Sequence, residues 1–234
     1  MRVQPFSTGS IVHVTKRGAR GMSIVRDERD KQRFVSLLYY LNDEYRNEYW
    51  EDEISELPPF ERPESWPQRK PLVDILGFTL MPNHFHLVLR EIKKGGVAKF
   101  MQKIGGSMST YHNQKYKEVG SLFQGAYKSR TVDNDAYARY LASYVMVKNV
   151  FELYPKGGLR GSCANFEDAW KWAVNYPYSS LATFSGKSDL PVLATENSMR
   201  EIFDSSLAFK KASRDMVYAY LDKFDHEYPE KDLE

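Results

Sequence analysis

Three groups of side chains in this 234-residue chain have the types and spacing for chemistry. The first is His84-Phe85-His86. In a strand, side chains alternate, so both imidazoles leave one face and Phe85 leaves the other. Phe85, Leu87 and Leu89 then form a buried face. Two imidazoles side by side are a ready pair of metal ligands, or simply two strand histidines. The second group is a tyrosine stripe, Tyr137, Tyr140 and Tyr144. On a helix these lie on one side. Such tyrosines pack a core, stack on bases, or serve as a covalent nucleophile when a metal or base activates one. The third is a mixture of cations and rings: Tyr111, His112, Lys115, Tyr116, Lys117, Phe123, Gln124, Tyr127, Lys128 and Arg130. Cations for phosphates interleaved with rings for bases suit a single strand or a hairpin end. An amphipathic helix followed by an ordinary strand reads the same way.

The elements that must position these groups follow from periodicity. Residues 10–17 (SIVHVTKR) alternate as a strand. A helix capped by Asp27 follows, with Phe34, Leu37, Leu38, Leu41 and Tyr45 at helical spacing. Residues 47–70 turn acidic and proline-rich, a surface insertion with little regular structure whose deletion is expected to leave a folded protein. A hairpin comes next: a strand from about Leu72 to Met81, a Pro82–Asn83 turn and a strand His84–Glu91. A helix from Gly95–Gly96 carries Val97, Phe100, Met101, Ile104, Met108 and Tyr111 on one face. Gly105–Gly106 inside it marks a break or a close backbone approach. Leu122–Val132 reads as a strand, and Asp133 caps a helix to about Val150. A short helix at 165–174 and weaker helices near 195–206 and 209–223 end the chain. The order β-α-insert-β-β-α-β-α predicts an α+β fold of the ferredoxin-like split β-α-β kind, an antiparallel sheet with helices on one face, plus a helical C-terminal extension. That fold hosts many functions, so it decides none.

Composition narrows the field. Apolar residues at 42% and charged residues at 27% are an ordinary globular balance, which excludes wholesale disorder. No run is long enough to span a membrane, and no apolar segment near the start reads as a secretory signal. The single cysteine, Cys163, rules out an internal disulfide and a multi-Cys zinc site. A reducing compartment fits, and the cytoplasm is the expected location. Net charge is only +2, but its distribution is uneven. Residues 1–26 carry five cations and no acid, and residues 90–130 carry nine Lys/Arg against Glu91 and Glu118. Residues 43–64 carry nine acids against Arg46 and Arg62. The basic segments form either a face for phosphate or part of a solvated surface of mixed sign.

Taken together the stretches IVHVTKRGARG, LMPNHFHLVLR, GSLFQGAYKSRTVDNDAYARYLASYV and NYPYSSLATFSG resemble the single-tyrosine HUH transposases, and most closely their REP-associated branch. They cover roughly residues 10–186 in the family's order, which sets a transposase domain at 1–186 and an extension at 187–234. The resemblance implies a divalent ion, Mg²⁺ or Mn²⁺, on His84 and His86, and Tyr144 as nucleophile. It implies cleavage and rejoining of single-stranded DNA near hairpins through a 5′-phosphotyrosine intermediate. Lys16, Arg17, Arg20, Gln124, Lys128 and Arg130 are the expected DNA contacts. Relatives read Tyr-Ile-x-x-Asn-Pro-Val at the nucleophile, where the amide four residues on completes the metal site. This chain has Lys148 there, and an ammonium is no ligand. Asn149 could serve through a local helix distortion, water or another side chain could fill the position, or the metal could bind weakly. Lys148 could also favour the phenolate of Tyr144. Two rival readings stand: a domesticated hairpin-DNA binder that does not cut, and a replication or relaxase-type HUH nickase, which His13 or Tyr140 would serve as a third histidine or second tyrosine. The expected assembly is a monomer or homodimer.

Overall fold

The computed structural model describes residues 6–227. The sheet forms from β1 (Ile11–Arg17), β2 (Asp74–Leu80), β3 (His84–Arg90) and β4 (Lys128–Val132) in the order β2-β3-β1-β4. β1 is antiparallel to both β3 and β4, and a three-residue turn joins β2 to β3. This is the split β-α-β order, with α1 (Glu28–Tyr40) and α3 (Gly96–Tyr116) as the crossovers. The final strand begins six residues later than periodicity predicts. Phe123 instead makes an isolated bridge to Gly18.

Alternation decides the layers. Val12, Val14, Phe85, Leu87 and Leu89 are fully buried on one face. They meet Phe34, Leu37 and Leu38 of α1 and Val97, Phe100 and Ile104 of α3 in the same buried layer, with the Phe34 and Phe85 rings 5.1 Å apart. Asp27 caps α1 as expected, accepting from the Asp30 amide at 2.9 Å. α3 lacks a side-chain cap at Gly95. Buried Glu91 supplies one from the strand end, accepting from the amides of Gly95 and Val97 at 2.8 and 3.2 Å. The helix is unbroken at Gly105, where a Cβ would stand 3.2 Å from Lys16 Cε.

Residues 47–70 stay out of the sheet, as expected, and α2 (Trp50–Glu53) is their regular element. They are more than surface, however. Trp50 and Trp66 are buried around Tyr40 of α1, at ring distances of 5.4 and 6.2 Å. Asn42 closes the base of the excursion by bonding the backbone of Leu72 and Val73. Tryptophan burial outweighs the acidic, proline-rich composition that suggested a dispensable loop.

The chain divides into two compact units. The first holds the chain up to Leu76, Leu80–Val132 and Pro191–Glu196. The second holds Gly77–Thr79 of β2, Asp133–Leu190 and the chain from Asn197. The division expected at residue 186 marked the reach of the resemblance and is a different boundary from this one. In the second unit, α4 (Asp135–Ser143) runs into a π-helical turn (Tyr144–Lys148) and α5 (Asn149–Glu152). Then come α6 (Gly158–Ala164), α7 (Phe166–Ala173), α8 (Leu181–Phe184), α9 (Ser198–Glu201) and α10 (Ser206–Glu227). The predicted pair of closing helices is in fact one short turn and one long helix. The cap of α4 is Asn134, one residue beyond the expected Asp133, accepting from the Tyr137 amide at 2.8 Å. Ser179 and Ser180 of the NYPYSS stretch are buried and tie to the β2 residues of this unit. The Ser180 amide donates to the Phe78 carbonyl at 3.0 Å, and the Phe78 amide donates to Ser180 Oγ at 3.0 Å.

Candidate metal and nucleic-acid site

In the first unit, strand register gathers the chemistry on one face. Residues directly opposite in an antiparallel pair share a face. Arg17 stands opposite His84 and Thr15 opposite His86. On the other side of β1, Lys128 stands opposite Thr15 and Arg130 opposite His13. His13, Arg17, His84, His86, Lys128 and Arg130 therefore share the face turned from the Phe85 core. Arg17, Lys128 and Arg130 are exposed.

The histidine pair is oriented. Its rings lie 4.9 Å apart, nearly perpendicular. His84 Nδ1 lies 2.6 Å from Asn83 Oδ1, while Asn83 Nδ2 donates to the Gly21 carbonyl at 3.3 Å. The amide oxygen can only accept, so Nδ1 of His84 carries the proton and its lone pair is on Nε2. Asn83 is itself held, its carbonyl accepting from the Gly18 amide at 2.8 Å. Gly18 is required there, because a Cβ would stand 2.1 Å from the Met22 carbonyl. The GARG loop thus supports the turn that aims His84. Its Arg20 is exposed with φ of 54°, and Gln124 is exposed beside β1, its amide donating to the Arg17 carbonyl at 2.9 Å.

Lys16 departs from the other expected DNA contacts. It pairs with Phe85 and so points to the opposite face. Its amine donates to the Gly125 carbonyl at 2.9 Å and sits 4.7 Å from the centre of the Phe123 ring. Burial lowers its pKa. His13 also differs from the role of a third ligand. Its Nε2 lies 2.8 Å from His86 Nδ1, so it stands behind His86. Burial, then the Arg130 guanidinium, lower its pKa to about 4, which keeps it neutral. Among the described residues no group of three or more His, Cys, Asp or Glu could hold a metal. The pair offers two imidazole nitrogens. That donor set fits a divalent ion whose other ligands are an amide, water and a phosphate oxygen.

In the second unit, the rings of Tyr137 and Tyr140 stack at 6.4 Å, and those of Tyr140 and Tyr144 at 5.8 Å. Tyr144 is half-buried and also meets Tyr220 of α10 at 6.4 Å. Burial raises its pKa, and the Lys148 ammonium only partly offsets this. The phenolate expected from Lys148 is therefore not favoured. Lys148 is buried over the Tyr144 and Tyr220 rings, 5.0 and 4.6 Å from their centres, and pairs with Glu152. Burial disfavours its charge, but Glu152 raises its pKa above the usual value.

Periodicity missed the π turn. Its bonds close over five residues, so the Asn149 amide donates to the Tyr144 carbonyl. One residue more than in an α-turn is wound between them. Thr79 donates its hydroxyl to the Val145 carbonyl within this turn. Asn149 is thereby carried round to the position an α-helix would give residue 148. It is fully buried, and its Nδ2 has no hydrogen-bond partner among the described residues.

The sheet is of the split β-α-β kind and carries an oriented His-Phe-His pair on one face. The family model described as "Transposase IS200 like" matches residues 41–148, a stretch that includes His84, His86 and Tyr144. Among solved structures, one described as "Structure of the REP associates tyrosine transposase bound to a REP hairpin" is similar at 10% identity. The similarity covers 84% of this chain and 91% of that one, with a TM-score of 0.46. No curated protein matches the chain. No described helix is long and apolar enough to cross a membrane.

Proposed function

We propose that this protein cleaves and rejoins single-stranded DNA near hairpins by transesterification, with Tyr144 as the nucleophile. The observation that carries the reading is the oriented pair His84 and His86 beside Arg17, Lys128 and Arg130 on one sheet face, in a chain whose residues 41–148 match the IS200-like transposase model. A divalent ion, Mg²⁺ or Mn²⁺, held by His84 and His86 would supply Lewis acidity to the scissile phosphate. Asn149 is the third protein ligand in this reading. Its support is the π turn, which carries Asn149 to the place a regular helix gives the residue four after Tyr144, so that its Oδ1 could serve as the ligand. Arg17, Arg20, Gln124, Lys128 and Arg130 hold the strand through its backbone.

The Tyr144 oxygen bonds to phosphorus as the bond from phosphorus to the 3′ oxygen breaks. The phenolic proton is released to water or to the departing oxygen. The products are a 5′-phosphotyrosine and a free 3′-OH, and attack by another 3′-OH reverses the step without ATP. Incubation with a labelled hairpin-bearing oligonucleotide and Mn²⁺, followed by a denaturing gel, tests this. A covalent adduct lost in Tyr144→Phe is expected. Binding without any adduct across substrates and metals would leave a hairpin-DNA-binding protein instead.

A further inference from the structure

We propose that His13 is a positioning residue for His86, accepting a hydrogen bond from His86 Nδ1–H and so holding the Nε2 lone pair of His86 ready for a cation. This rests on the metal reading above. The two rings are nearly coplanar and meet end to end, 5.1 Å between centres and 13° from parallel, with His13 Nε2 2.8 Å from His86 Nδ1. Thr15 Oγ lies 3.3 Å from His86 Nδ1 and 3.4 Å from His13 Nε2, so the hydroxyl joins the same contact.

The argument is one of proton counting. Of the two facing nitrogens, one carries the hydrogen. If it is on His13, then neutral His86 is protonated at Nε2 and has no lone pair to offer there. If it is on His86 Nδ1, His86 matches His84, whose Nδ1 proton is held by the Asn83 oxygen. A metal-binding histidine ordinarily donates its other ring N–H to a carboxylate, a carbonyl or water. Here a second imidazole takes that place. Strand register produces the pairing: His13 lies two residues from Thr15, which stands opposite His86, so the two histidines are diagonal neighbours on one face.

The test uses the full chain, Mn²⁺ as probe and no DNA. Free and bound Mn²⁺ are followed by electron paramagnetic resonance, and the histidine ring ¹⁵N shifts are read in metal-free protein. His86 is expected to carry its proton on Nδ1. His13→Phe keeps a flat ring without an acceptor and should weaken Mn²⁺ binding about 10-fold or more. His13→Gln, whose Oε1 reaches the place of Nε2, should recover most of the loss. A proton on Nε2 of His86 overturns the assignment, as does His13→Phe binding Mn²⁺ as tightly as the unmodified protein. If the unmodified protein takes up no Mn²⁺, the metal reading falls, and the ¹⁵N shifts still decide whether His86 donates to His13. If His13→Phe does not fold, those shifts and the affinity of His13→Gln decide.

Discussion

The backbone amide of Asn149 donates to the carbonyl of Tyr144, five residues back. In an α-helix the Tyr144 carbonyl would instead accept from the amide of Lys148. The wide turn lets the chain bury Lys148 against Glu152 and still present an amide side chain one turn after the tyrosine. Asn149→Ala should raise the metal concentration needed for cleavage while changing the unfolding midpoint little, since the Asn149 side chain lacks a partner for Nδ2 among the described residues. Lys148→Asn should not rescue the metal site. It strips Glu152 of its partner and should cost about 1–2 kcal/mol in denaturant unfolding, the pair being half open to solvent on the Glu152 side. A lower metal requirement in Lys148→Asn would show that residue 148 faces the ion.

Tyr144→Phe removes one hydroxyl and should abolish the adduct with DNA affinity intact. Tyr137→Phe and Tyr140→Phe should keep it. Because burial raises the Tyr144 pKa, the cleavage rate should climb with pH through the alkaline range as the phenol ionises. Lys148→Met removes the cation that partly offsets burial and should push that rise to higher pH. A flat profile above neutrality would argue against phenol ionisation limiting the step.

The histidine face and the core face should respond differently to charge reversal. Arg17→Glu and Lys128→Glu should weaken single-strand affinity and lower its salt dependence, with little change in stability, because both residues are exposed. Lys16→Glu should act mainly through folding, since its amine sits against Phe123 and the Gly125 carbonyl. Titration of binding against salt, beside unfolding curves, separates the two.

Trp66→Ala should cost about 3 kcal/mol in unfolding free energy, as truncation of a buried aromatic does. Deleting residues 50–66 removes both tryptophans that cover Tyr40 and should lower the midpoint further. An unchanged midpoint would return the excursion to the status of a surface insertion.

Asp30 supplies an acid-sensitive tie. Its burial opposes ionisation, but the Lys115 amine, the Tyr116 hydroxyl and the Arg26 amide donate to it, and its pKa falls from 3.8 to about 2. A depressed carboxyl contributes its stability above the unfolded pKa and loses it as pH falls through the folded value. Asp30→Asn should therefore be less stable than the unmodified protein at neutral pH. The gap should close between about pH 4 and pH 2. Parallel acid titrations of the two unfolding midpoints check this.

Much of the fold was legible in local pattern. The period-2 runs of β1 and β3 placed His84 and His86 on one face opposite Phe85, because side-chain alternation is a property of the strand itself. Asp27 announced its helix. Tertiary structure decided what depends on partners distant in sequence. Pairing across β1 put Arg17, Lys128 and Arg130 on the histidine face and turned Lys16 away. The same pairing set His13 against His86 across a separation of 73 residues. The tryptophans in the acidic excursion found Tyr40, which composition could not foretell. The turn after Tyr144 took an extra residue whose consequence, Lys148 turned to Glu152 and Asn149 carried round, no spacing rule for a regular helix contains. Periodicity reports how a segment is wound when its backbone bonds are uniform. Which bonds are made where they are not uniform depends on what packs against them, here Thr79 on the Val145 carbonyl.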